Sequence, residues 1–377
     1  MKSTHATIVA MLIAALVIAP VGVVSARPID PPPDTMYRVN FTYINSTGIA
    51  RPCVFAAYDL YRSSTGSPGS YTFTGSTGHS TTSGWIEAYV TGGYYYQVKV
   101  YSDDNYAVKI ATSNQNAYYW WSAGRYVATY NVITAPAVQI PFDASGAVKG
   151  GEVWMAYDMI RVAHDWLYTN SGVWYSCPQT LVLYPDMPWP HNWPYTGTDG
   201  VIHINNNWHM TYKWVVQHEY GHRIHIARGM AFIMPYGDHD LGTGFDWAEQ
   251  AFAEGWADFF ACVVNGNSNV IVSVWSENPT VWKNVDWNTW SEHEHPGNND
   301  GGCCEGSVAG LWWDMFDGYD VPGDADNYQT SFSNFWHVWH DHHPDTVCGA
   351  QDDFNALWNQ HWPSSALNAL YDRANFW

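Results

Sequence analysis

The residues whose spacing most directly suggests chemistry are His218, Glu219 and His222, in the run His218-Glu-Tyr-Gly-His222. On an α-helix, side chains four apart lie on one face, one turn above the other. His218 and His222 can therefore present two imidazoles to a single cation. Glu219 points about 100° further round the helix, which aims its carboxylate at a water bound to that cation. This H-E-x-x-H spacing suits metal-assisted hydrolysis. The competing reading is a polar helix face with two ordinary histidines.

A tetrahedral catalytic zinc takes three protein ligands and leaves the fourth position to water. The run Phe252-Ala-Glu-Gly-Trp-Ala-Asp-Phe-Phe260 supplies a candidate in Glu254, with Asp258 one turn later on the same face. Asp258 can accept a hydrogen bond from the far nitrogen of a ligand histidine and so fix its tautomer. Trp247, Phe252, Trp256, Phe259 and Phe260 make this stretch too apolar to hold two acids without partners. Glu249 is nearer in sequence, but Ala253 stands where its orienting acid would be. Asp240 or Asp246 in the preceding loop remain alternatives.

Two helices must position these residues, at about Thr211–Arg228 and Trp247–Val264. Val153, Tyr157, Ile160, His164 and Leu167 fall at helical spacing before them, and Ser307–Phe316 and Phe332–His340 after. Leu181–Tyr184 and Val201–Ile204 read as strands. Upstream of about residue 145 the pattern is β. Tyr37–Tyr43 and Tyr94–Tyr101 alternate, and turn clusters at Ser63–Gly69 and Gly75–Gly78 separate strands. The fold class expected is α+β. Residues 36–145 form an antiparallel β-sandwich, and residues 146–377 a mainly helical unit with a small mixed sheet.

The chain has 377 residues, 46% hydrophobic and 13% charged, with 23 Trp and 26 Tyr, which is ample material for a core. Its formal charge of −20 argues against nucleic acid and against anionic lipid as partners. Lys2, the apolar run Ile8–Val24 and the small residues Val24-Ser-Ala26 predict a secretory signal over residues 1–26. A proline-rich linker over 27–35 follows. No later run is long enough to span a bilayer, so the expected location is secreted or cell-surface. In that compartment Cys53, Cys177, Cys262, Cys303, Cys304 and Cys348 are compatible with disulfides. Asn40 and Asn45 head glycosylation sequons.

The pair HEYGH and AEGWADFF resembles the gluzincin metallopeptidases, the thermolysin-like and fungalysin-like group. Glu305–Phe316 is similar to a helix that in those families follows a histidine steadying the transition state, although Gly302-Cys-Cys-Glu305 here lacks it. Residues 36–145 also resemble transthyretin-like domains, through Thr47–Pro52, Ala56–Tyr61 and Gly84–Tyr89. The first resemblance implies a zincin-like domain with His218, His222 and Glu254 as zinc ligands and Glu219 as general base. The metzincin pattern is disfavoured, because His225 and Arg228 occupy the places of its Gly and His. His225 is expected to be solvated or capping near the helix end.

The expected function is an exported zinc endopeptidase acting on protein or peptide substrates. Donors to the oxyanion are sought among His293, His295, Tyr319 and His337. Val201–Asn207 is a candidate edge strand for an extended substrate, with amides from Asn205 to Asn207. His337, His340, His342 and His343 offer a second metal cluster; solvated histidines are the alternative. Asn298–Asp300 and Asp320–Asp326 offer oxygens to calcium or form ordinary turns. The tryptophans suit a core or a sugar-stacking face, so the second class of function is a wall or surface protein binding glycan or peptidoglycan. Amidase action on wall peptides is a third.

Overall fold

The computed structural model describes residues 35–128, 132–142, 150–171, 177–186, 193–229, 247–271, 282–284, 304–317 and 329–342. The expected signal segment, and the linker apart from Thr35, lie outside them. The described chain is mixed α/β, with several sheets and five α-helices, compatible with the α+β class.

Strands come first: β1 (Met36–Ile44), β2 (Ala50–Pro52), β3 (Ala57–Ser63), β4 (Thr72–His79), β5 (Trp85–Tyr89), β6 (Tyr94–Tyr101), β7 (Val108–Ala111), β8 (Tyr119–Trp121), β9 (Arg125–Val127), β10 (Val132–Thr134) and β11 (Val138–Ile140). Alternation along β1 sends Tyr37, Val39, Phe41 and Tyr43 inward, and β3 and β6 return Tyr58, Leu60, Tyr96, Val98 and Val100 to the same core. The Tyr37 and Tyr96 rings meet with centroids 6.1 Å apart.

One layer is the sheet β4-β3-β6, with β8 and β9 also on β6. The other is organised by β1. Its first half pairs β5 antiparallel and β10 parallel, and its second half pairs β2 antiparallel and β11 parallel. The layer is therefore mixed, which corrects the expectation of a purely antiparallel sandwich. β10 and β11 return only after the opposite layer is built, and that crossover leaves them running the same way as β1. The expected turn at Gly75–Gly78 lies inside β4, beside an irregularity in the β3–β4 ladder between Asp59 and Tyr61.

The second half contributes α1 (Gly151–Asn170), β12 (Thr180–Leu183), β13 (Tyr195–Thr196), β14 (Ile202–His203), α2 (Lys213–Ala227), α3 (Ala248–Asn265), α4 (Glu305–Asp317) and α5 (Phe332–His342). Its four-stranded sheet has the order β13-β14-β12-β7. β7 comes from the first half and pairs in parallel with β12, from Val108 with Thr180 to Ala111 with Leu183. The Tyr157 hydroxyl on α1 donates to Val54 O at 3.0 Å, and apolar residues of both halves share one core. The boundary expected at residue 145 is thus crossed by a sheet and by a core.

Against α3 pack α4 and α5, through aromatic rings. Phe252 meets Trp312 at 4.9 Å, Phe259 meets Phe335 at 5.1 Å, and Trp166 of α1 meets Phe332 at 4.6 Å. Trp154, Trp256, Trp312 and Trp336 are fully buried. Trp247, by contrast, precedes α3 with 57% of its surface exposed.

A short 3-10 turn, His209–Thr211, leads into α2. The His209 ring is buried, stacks on Trp193 with centroids 5.6 Å apart, and has Nδ1 3.0 Å from Asn205 Oδ1. Burial pushes its pKa down to about 4. A group neutral when folded and protonatable when unfolded stabilises the fold fully above pH 6.5. That contribution is lost as pH falls from 6.5 to about 4. Chemical denaturation across that range should show this fall, amounting to about 3 kcal/mol from this one group. His209→Phe should flatten it, and an unchanged slope in that variant would contradict the assignment.

Candidate metal centre

α2 forms where Val215, Val216, Tyr220 and Ile224 give it apolar positions to bury, and its histidines sit on the face turned to α3. Gly221 is what lets the two helices meet. A Cβ placed there would stand 2.9 Å from Ala257 Cα, a backbone atom that cannot step aside. Gly255 does the same between α3 and α4, where a Cβ would lie 2.7 Å from Val308 Cβ. Trp256 Nε1 also donates across the interface to Gly221 O at 3.2 Å.

That close approach converges three donors. His222 Nε2 lies 3.1 Å from His218 Nε2 and 2.9 Å from Glu254 Oε2, and His218 Nε2 lies 3.2 Å from the same oxygen. All three residues are buried. A tetrahedral ion with bonds of roughly 2.0–2.1 Å spaces its ligands roughly 3.3 Å apart, close to these edges. His218 Nδ1 lies 2.6 Å from Asp258 Oδ1, and donating a proton to that carboxylate leaves the Nε2 lone pair free to coordinate. The group can hold a metal ion.

The electrostatics point the same way. Glu254, Asp258 and Glu305 are three buried carboxyls at this centre, and Glu219, next to His218 in the chain, is buried as well. Burial alone would lower the His218 pKa, but Asp258 and Glu254 outweigh it and hold the imidazole well above its usual value. Burial, and next Glu305, push the Asp258 carboxyl up against the pull of His218. A bound cation would offset the negative charge of such a cluster.

Glu219 stands beside the donors on α2. Its Oε2 lies 2.8 Å from the Thr196 hydroxyl of β13, which is also 2.8 Å from Glu219 O.

No protein-family model matches this chain, and no curated protein matches it.

Of the residues singled out from sequence, the structure brings His218, His222, Glu254 and Asp258 together. Glu249, half-buried in the first turn of α3, lies outside the donor group. His337 is on the exposed side of α5. Asp240, Asp246, His293, His295, Tyr319 and His343 fall outside the described residues, as do Asn298–Asp300 and Asp320–Asp326. For His340 and His342 only the backbone on α5 is described. Among the described residues Cys53 and Cys262 are buried and in no disulfide, and Cys303 and Cys348 lie outside them.

Three expectations are corrected. His225 is not solvated: its ring is buried and packs edge-on to Phe252, because α2 is covered by α3 on that side. The edge strand is not at Val201–Asn207, since β14 lies between β13 and β12. The amide oxygens of Asn205 and Asn206 serve the following turn, through His209 Nδ1 and the His209 backbone N–H. Thr196 and Glu305 were missed by sequence reasoning. Neither lies near the motif in sequence; a lone Thr carries no pattern, and Glu305 entered only as the first residue of the stretch Glu305–Phe316.

Two outcomes are expected. Gly221→Ala forces α2 from α3, costing about 1–3 kcal/mol of stability and weakening metal binding, as thermal melting and metal titration would register. Asp258→Asn keeps the shape but loses the carboxylate, so metal affinity should fall about 10–100-fold in a competition assay with a chelating dye.

Proposed function

We propose that the protein is an exported zinc-dependent endopeptidase whose zincin-like catalytic unit contains α2, α3 and their sheet. The observation that carries this reading is the buried triangle of His218 Nε2, His222 Nε2 and Glu254 Oε2, with the Glu219 carboxylate on the next residue of the same helix. Zinc held by these three atoms would supply a Lewis acid and lower the pKa of its water to about 7.

The chain's own groups do the rest. Asp258 fixes the tautomer and ring orientation of His218. Glu219 takes a proton as water attacks the scissile carbonyl, and delivers it to the leaving amine. β13 stands at one end of its sheet among the described residues, which supports pairing of an extended substrate along it. The signal over residues 1–26 and the sandwich as a transthyretin-like module belong to the same reading.

A second reading, a surface protein that binds glycan, is favoured by one observation. Phe73, Tyr119, Trp121 and Tyr126 are exposed on strands of the β4-β3-β6 layer, and Lys99 Nζ lies 3.8 Å from the centre of the Tyr119 ring. The fully buried tryptophans lend it nothing.

Zinc content and casein cleavage, measured for wild type and Glu219→Gln, test the first reading. Metal should be retained and cleavage should fall by about 10²–10⁴-fold. Equal cleavage by both would remove Glu219 as the base. Peptidoglycan fragments run beside casein separate an amidase, and tight glycan retention without any hydrolysis favours the second reading.

A further inference from the structure

We propose that Thr196 is a positioning residue that holds the Glu219 carboxylate at the orientation its work requires, an inference that rests on the peptidase reading. Thr196 is 1% exposed and reaches α2 from a different element, twenty-three residues earlier in the chain. Its hydroxyl carries one proton and has two acceptors at 2.8 Å, Glu219 O and Glu219 Oε2. The carbonyl lies inside α2, where the intrahelical ladder already uses it. The side-chain carboxyl oxygen is the acceptor still open to that proton. The hydroxyl therefore gives its proton to Glu219 Oε2, ties that side chain to β13 and removes the freedom of a flexible Glu to swing about its terminal torsion. One carboxylate oxygen is thereby held, and the other, Oε1, accepts no hydrogen bond from the described residues.

The strand that carries Thr196 is itself braced. Tyr195 stands opposite His203 across the β13–β14 ladder, with rings stacked at 4.5 Å and nearly parallel. His203 Nδ1 lies 2.6 Å from Asp186 Oδ2, and Thr196 pairs with Ile202. β14 is anchored to β12 and so to β7. The hydroxyl is delivered by a fixed sheet and not by a loose loop, which is what a positioning contact needs.

Thr196→Val keeps the branched shape and deletes the hydroxyl; Thr196→Ser keeps the hydroxyl. In Thr196→Val, zinc content and melting temperature should match wild type. The casein-peptide kcat should fall roughly tenfold to a hundredfold with KM within about twofold, the scale of loss from small misplacement of a reacting group. Thr196→Ser should recover most of the rate. Crystal structures of the metal-free proteins give a readout independent of turnover. Glu219 should occupy one conformer in wild type and Thr196→Ser, and a displaced or divided one in Thr196→Val. Unchanged kcat with an unmoved Glu219 in Thr196→Val overturns the proposal. So does a rate loss matched by loss of zinc or of melting temperature, which assigns the hydroxyl a merely structural role. Failure of the peptidase reading looks different: metal-loaded wild type cleaves no peptide, while the conformer comparison still reports whether Thr196 holds Glu219.

Discussion

Three lone-pair donors about 3 Å apart, in a buried place, are a costly arrangement. Two imidazole nitrogens and a carboxylate oxygen repel one another unless protons or a cation lie between them, and the burial of His218, His222 and Glu254 removes the screening that would soften that repulsion. The rest of the structure serves this constraint. α2 and α3 cross closely enough only because Gly221 presents no side chain to Ala257. The aromatic layer of Trp256, Phe259, Trp312 and Phe332 holds α3 in place from behind, so the donors cannot relax apart.

Support for the centre is layered outward through polar contacts as well. Asp258 orients His218, Glu305 lies beside Asp258, and Thr196 holds Glu219. The line from Thr196 runs through β13, β14 and β12 to β7, a strand that precedes α1 and comes from the β-rich half. The β-rich half of the chain is therefore physically continuous with the site. Its β7 is the outer support of the sheet whose opposite strand touches Glu219.

Much of this was legible in the residues. The helical spacing of Val153 to Leu167 and the apolar run around Glu254 located α1 and α3 to within a few residues, because helix periodicity is a local property of the chain. β6 was read at its observed ends from alternation alone. The misreadings share one cause. His225 looked solvated because it follows a polar run near a helix end, yet α3 covers it. Val201–Asn207 looked like an edge because its hydrogen-bonding partners come from distant segments. Gly75–Gly78 looked like a turn because glycine pairs usually break strands, and here a ladder irregularity absorbs them.

What the sequence determined by itself is the inventory and its local geometry. Two histidines four apart share a helix face, and an acid pair four apart shares another, because 3.6 residues make a turn wherever that helix is placed. What only the tertiary structure decided is that these faces meet at bonding distance, that Thr196 reaches Glu219, and that β7 joins a sheet beyond the expected boundary. Those facts depend on how closely helices and strands from separate parts of the chain pack. That packing is set by side-chain volumes across the interface, which no single segment contains.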